Sequence, residues 1–409
     1  MEQYHTHTLS NGLRIIHLPQ KSSQISYCGV IVNAGSRDEL SENFGMAHFV
    51  EHMIFKGTEK RKAIQIINRL EDVGAELNAY TTKEETVVYA AFLNKYVERS
   101  IELISDLIFH SIFPPDEIEK EIEVIKDEIE SYNDSPAELI FDDFEELIFH
   151  SNTMSHNVLG SKENLDKFTS EKAKNFYRQF YLPQNMVFFS CGNVNADKIV
   201  RLVEKYFDFP SNDMQANNRK LPDYQPAENK VIHKDTNQAH CILGCRSYDM
   251  YHSDRMALYL LNNILGGPGM NSLLNLRLRE KTGLVYNVES TVQEFTDCGW
   301  WGIYFGSDPE DVEKCERLIR KELTKLSENR ISESRLKKYK QQLIGQLALA
   351  AENKENMALS LGKSYLRFGK YDSSEKVKAD IESVTAQQLQ NIACELFNEK
   401  NIFVLKYSK

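Results

Sequence analysis

Two histidines and a glutamate stand together in His48-Phe-Val-Glu-His52, where the surrounding Met46, Phe49, Val50, Met53 and Phe55 are apolar. Apolar residues at helical spacing, with no proline, predict a helix over residues 44–55. On a helix, positions 48 and 52 lie about 40° apart around the axis and one turn apart along it, with position 51 about 60° to the side of 48. All three can address one point in space. Two imidazoles four residues apart form half of a tetrahedral shell for a divalent metal, and a neighbouring carboxylate that is not a ligand can take a proton from water held there. This is the outline of a hydrolytic metal site, in His48 and His52 as ligands and Glu51 as base. Composition alone would produce an H-x-x-E-H string about 0.03 times in this chain. Surface histidines beside an ion-paired glutamate are therefore the weaker reading.

A hydrolytic zinc takes three protein ligands and leaves the fourth position to water. No third histidine is offered nearby, but the segment Glu117–Glu130 is rich in carboxylates. Pro114-Pro-Asp116 predicts a helix that opens there and runs to about Ser131, and on it Glu121 and Glu128, seven apart, share a face within about 20°. Either can bind the metal while the other supports it from behind. The same spacing also fits a solvated charged face.

Gly45-Met-Ala-His-Phe-Val-Glu-His-Met-Ile-Phe-Lys-Gly-Thr58 resembles the active-site segment of the pitrilysin, insulin-degrading enzyme and mitochondrial processing peptidase family, the inverted zincins. The resemblance implies that Glu128 is the third ligand to Zn2+ and Glu121 the family's second acidic residue. Gly74-Ala-Glu-Leu-Asn-Ala-Tyr-Thr81 is similar to the edge strand that holds extended substrate, which makes Asn78, Ala79, Tyr80 and Thr81 the peptide-binding residues, with Asn78 near the site. Leu278-Arg-Glu-Lys-Thr-Gly-Leu-Val-Tyr286 is similar to an Arg-to-Tyr pair that closes over the substrate from the facing domain, here Arg279 and Tyr286. Guanidinium and phenol are donors suited to a peptide carbonyl on which charge develops. What the family implies is a zinc-dependent endopeptidase that cleaves extended peptides or unfolded segments inside a closed chamber, with Glu51 as general base on zinc-bound water. Four such domains enclose a chamber in the family and this chain supplies two, so a homodimer is expected; a monomer in sedimentation would count against it. The alternative is a noncatalytic scaffold or peptide-binding subunit of the same family, whose metal motif is usually degraded, whereas this one is complete.

These side chains need elements to hold them. β-branched and aromatic runs predict strands at Gln24–Val32, Glu85–Phe92 and Trp300–Phe305, and Gly74 closes a helix that starts near Lys62. The chain also repeats itself: Thr169 and Thr385 each stand as helix N-caps 16 residues before an asparagine, Asn185 or Asn401, that opens a strand. Aligning the halves sets Leu258, Leu261 and Asn262 where His48, Glu51 and His52 stand, so the second half has no metal site of its own. Leu265-Gly-Gly-Pro-Gly-Met-Asn-Ser272 lacks the ending of a phosphate loop and reads as a tight connection. The polar tract from Phe209 to Asn229, with three prolines, reads as a linker. The expected organisation is a catalytic domain 1–212, a linker 213–228 and a second homologous domain 229–409. The expected class is α+β: two duplicated α/β domains, each an antiparallel-rich sheet with helices packed on one face, in the family's metallohydrolase fold.

Bulk properties agree. At 409 residues the chain exceeds the ~250–300 at which single cores stop growing. No apolar run approaches the ~18 residues that cross a bilayer, and Met1–Thr8 lacks the basic and apolar regions of a signal peptide, so a cytoplasmic protein without membrane contact is expected. Seven scattered cysteines read as reduced core thiols, and a net charge of -11 argues against nucleic acid.

Overall fold

Two sheets repeat one strand order. In the computed structural model, which describes residues 4–150, 152–210 and 219–408, the first sheet is built from β1 (His5–Thr8), β2 (Arg14–Pro19), β3 (Ile25–Val32), β4 (Glu76–Thr81), β5 (Thr86–Leu93) and β6 (Met186–Gly192), ordered β1-β2-β6-β3-β5-β4. Only β2 and β6 run parallel. The second comprises β7 (Asn229–His233), β8 (Ala239–Ser247), β9 (Val285–Glu294), β10 (Gly299–Ser307) and β11 (Phe403–Ser408), ordered β7-β11-β8-β10-β9, with only β7 and β11 parallel. Apart from β1, order and sense coincide, so the duplication and the α+β class hold. Of the linker tract, residues 213–218 lie outside the described residues, and 219–228 form no regular element.

Helices cover both faces of each sheet, where one face was expected. Cys28, Val30 and Val32 of β3, with Val88, Ala90 and Phe188, pack beneath α1 (Met46–Met53), α2 (Ala63–Glu71) and α3 (Val97–His110). The alternate residues Ile31, Val87, Tyr89, Val187 and Phe189 face the other way, against Ala358, Leu361, Tyr365 and Leu366 of the helix Lys354–Phe368. Two-sided burial explains why Met186–Gly192 is buried at every residue and shows no polar alternation. Gly362 lets that helix lie close: a Cβ there would come within 2.7 Å of Ile31 and 2.8 Å of Phe189. After α4 (Pro115–Asn133), α5 (Pro136–Ile148) does the same for the second sheet, with Ile140, Phe144 and Leu147 on Ile242, Trp300, Tyr304 and Phe403. The Trp300 indole donates to Glu145 at 2.9 Å and the Tyr407 hydroxyl to Asp143 at 2.6 Å.

Each half of the sequence thus lends one helix to the other half's sheet. The two compact units are residues 1–130, 156–219 and 350–373, and residues 131–155, 220–349 and 374–409, not the contiguous segments 1–212 and 229–409. The reason is physical: an amphipathic helix requires an apolar surface to cover, and chain order does not say which sheet supplies it. All seven cysteines are free thiols, and among the described residues no helix is long and apolar enough to cross a membrane.

Candidate metal centre

The histidine helix α1 is short and almost wholly buried. Met46, Ala47, Phe49, Val50 and Met53 fill the first core, which holds the remaining face, His48, Glu51 and His52, towards α4 and β4. On α4 the buried Ile118, Ile122, Ile125 and Ile129 form the apolar stripe. Glu121 and Glu128 flank that stripe, and Glu128 stays 44% exposed.

The two acids take different places. Glu128 Oε2 lies 3.9 Å from His48 Nε2 and 3.7 Å from His52 Nε2, and one donor atom from each of the three residues fits within 4.8 Å of the others. A tetrahedral ion with bonds near 2.0–2.1 Å needs donors about 3.3–3.5 Å apart, so a slight closing of the three suffices. Two nitrogens and one carboxylate oxygen form a donor set that suits zinc. Glu121 instead accepts from His52 Nδ1 at 2.8 Å, so that in the neutral ring Nε2 is the atom carrying the lone pair, on the side of Glu128. Its other oxygen meets Lys56 Nζ at 2.5 Å. Glu128 thus stands beside both ring nitrogens and Glu121 behind one of them.

The electrostatics follow from this layout. Burial, then the neighbouring His52, pushes His48 down to about 3, which keeps the ring neutral and able to ligate. Burial also acts to lower His52, but the hydrogen bond to Glu121 and the charges of Glu51, Glu121 and Glu128 outweigh it and leave its pKa above the ordinary 6.5. Burial acts to raise Glu121, and the donors His52 and Lys56 nevertheless hold it below the usual carboxylate range. Glu51 is raised by burial, against a hydrogen bond from Thr81 Oγ1 to its Oε2 at 2.7 Å.

A metal must displace the proton from His52, so zinc affinity is expected to fall as pH drops through the raised pKa of that ring, a window that opens above 6.5. Without metal the sign is different: the same shift contributes stability that is complete below 6.5 and disappears as pH rises through the folded-state value. Chelator-competition titrations from about pH 6 to about pH 9 should show affinity climbing and then levelling. A flat profile would contradict the His52 assignment.

β4 is the outer strand of its sheet, paired on one flank with β5. Leu77 and Ala79 turn towards the α1 core, as does Thr81 by alternation, while Tyr80 points to the opposite face, where Lys363 Nζ sits 5.1 Å over its ring. Asn78 shares the Tyr80 face. Of the four strand residues expected to bind peptide, Thr81 is the one hydrogen-bonded to Glu51. Lys56 was missed, although its position four after His52 was a readable signal.

Arg279 and Tyr286 belong to the second unit. Arg279 is in the π-helical segment Asn275–Glu280, with Nε 3.8 Å from Glu280. Tyr286, 58% exposed on the outer strand β9, donates to Asp308 at 3.0 Å. On the repeat helix Arg255–Gly266, Leu258 and Leu261 are buried, and Asn262 exchanges hydrogen bonds with Ser290 at 2.5 and 2.9 Å. Among the described residues no metal donor set stands there.

The family model for insulinase (peptidase family M16) matches residues 14–162, and that for the peptidase M16 inactive domain matches residues 167–343. The chain is 32% identical over 397 residues to a Rickettsia felis protein named as an uncharacterized zinc protease, covering 97% of this chain and 96% of the relative. It is 30% identical over 393 residues to the similarly named YmxG of Bacillus subtilis, covering 96% and 95%. Among solved structures, a protease from Helicobacter pylori shares the fold with a TM-score of 0.93 at 22% identity over 100% of both chains. The peptidase M16 inactive domain from Pseudomonas fluorescens does so at 0.92 and 19%, over 99% and 97%. Matched along most of its length by both family models and by these relatives, the chain belongs to the pitrilysin-like M16 peptidase family, as a member of its bacterial kind.

Proposed function

We propose that this protein is a zinc-dependent endopeptidase that cuts extended peptides or unfolded segments. The observation that carries the reading is the convergence of His48, His52 and Glu128 from two helices, with Glu51 beside them and hydrogen-bonded to an outer strand. His48, His52 and Glu128 would hold Zn2+, whose Lewis acidity, when bound, would polarise a peptide carbonyl and acidify water. Glu121 keeps the His52 ring turned with Nε2 forward. Glu51 takes a proton from the attacking water and returns it to the leaving amine; its raised pKa suits both transfers. Thr81 holds that carboxylate in register with β4, whose free flank would receive a substrate backbone as an added strand. Backbone pairing of this kind tolerates many sequences and spares folded proteins. Arg279 and Tyr286 are assigned in this reading as donors to the peptide.

The competing reading, a noncatalytic peptide-binding subunit, draws on the Pseudomonas fluorescens neighbour named for an inactive domain. Digestion of a mixed peptide library, read by mass spectrometry with and without chelator, separates the two. Cleavage that chelator abolishes and zinc restores is expected. A zinc-loaded protein that leaves the library intact would favour the binding subunit.

A further inference from the structure

The helix that carries both histidines starts without a cap of its own. Gly45 at its N-cap has φ +98°, and a Cβ there would come within 2.8 Å of the Leu159 carbonyl oxygen and 3.0 Å of Gly160 Cα, so no capping side chain fits. The first amides are met instead from another element. Glu39 Oε2 accepts from the Gly45 N–H at 2.8 Å and Oε1 from the Ala47 N–H at 2.6 Å, with the carboxylate side chain 0% exposed. The Oε2 atom also pairs with His156 Nε2 at 2.9 Å, and that ring stacks on Phe44 at 3.6 Å.

Glu39 is itself anchored. It follows the turn Ser36–Asp38, whose Ser36 and Arg37 amides donate to the carbonyls of Thr82 and Lys83 at 3.1 and 2.8 Å, while the Arg37 guanidinium, buried, meets Glu84 at 2.6 Å. Residues 82–84 belong to the β4–β5 hairpin, directly after Thr81, which holds Glu51. One short turn therefore grips the start of the histidine helix and the end of the outer strand together.

We propose that Glu39 is a positioning residue: it caps α1 from outside and sets the height of His48, the third residue of that eight-residue helix, against Glu128 and the outer strand. Its consequence for zinc rests on the peptidase reading. An ordinary cap would affect stability alone; a positioning cap also affects the metal site.

Glu39→Gln is the informative variant, because each carboxylate oxygen faces a backbone N–H and an amide nitrogen in either place confronts one. Zinc affinity by chelator competition is expected to fall roughly tenfold, the low end for groups that orient metal ligands. In the metal-free protein, amides 45–49 are expected to exchange hydrogen faster. Thr385→Ala serves as the control: it removes the cap of the helix Ala386–Leu396, where Thr385 accepts from the Gln388 amide at 3.2 Å, and should lower Tm while leaving zinc affinity unchanged. A Glu39→Gln protein with lowered Tm but wild-type zinc affinity would make Glu39 an ordinary cap and overturn the inference. Should Glu39→Gln not fold, His156→Phe keeps the ring stack, removes one partner of Glu39 and is expected to weaken zinc binding in the same direction; unchanged affinity there would overturn it equally. If the wild-type chain binds no zinc, the peptidase reading falls; equal exchange rates at 45–49 in Glu39→Gln and wild type would separately overturn the capping of α1 by Glu39 on which the inference stands.

Discussion

Glu51→Gln is expected to retain zinc and lose turnover by about 10²- to 10⁴-fold, the range over which a positioned general base contributes. The substitution preserves shape, and the amide oxygen can still accept from Thr81. Only the proton acceptor is removed. Stability should hold or rise, because burial already disfavours the charged form of Glu51 and the neutral amide avoids that cost. The measurement is peptide cleavage beside zinc content on the same preparation. Retained cleavage would refute the role of Glu51, and lost zinc would show that it had been a ligand.

The second large effect is expected at Glu128. Glu128→Gln should weaken zinc binding by more than about a hundredfold, beyond the 10- to 100-fold that Glu121→Gln should cost by freeing the His52 ring. Because Glu128 is 44% exposed, the fold should not notice: the urea midpoint of the metal-free protein is expected to match wild type. Glu121 is buried between His52 and Lys56, so its variant should also lose some stability. If Glu121→Gln loses zinc more completely than Glu128→Gln, the roles of the two acids are reversed.

Much of the site was readable because it is local. The pattern around His48 to His52 is a helical face compressed into eight residues, and α1, Met46–Met53, forms within the expected span 44–55, two residues shorter at each end. The caps were equally local: Thr169 and Thr385 accept from Lys172 and Gln388 amides at 3.3 and 3.2 Å, as side chains of that type do at helix starts. What the spacing left open has a different character. Asn78 and Thr81 differ by three places on one strand and so point to opposite faces, and nothing nearby says which face meets α1. Between Glu121 and Glu128, equal in type and on one helical face, only the way α4 lies against α1 decides which stands beside both Nε2 atoms and which meets Nδ1 of His52.

What the amino-acid order determined by itself was everything carried within a turn or two of chain: a helix with two imidazoles and a carboxylate on one side, an acidic helix to follow, a duplicated strand pattern and the absence of a metal motif from the second copy. What required the folded molecule was every choice between equivalent partners far apart in the chain. The helix Lys354–Phe368 covers the first sheet and α5 the second, Glu39 caps a helix it does not belong to, and Lys56 pairs with Glu121. Periodicity reports that a residue has a side to bury or a hydrogen bond to make; which distant surface satisfies it is settled only when all such surfaces are packed at once.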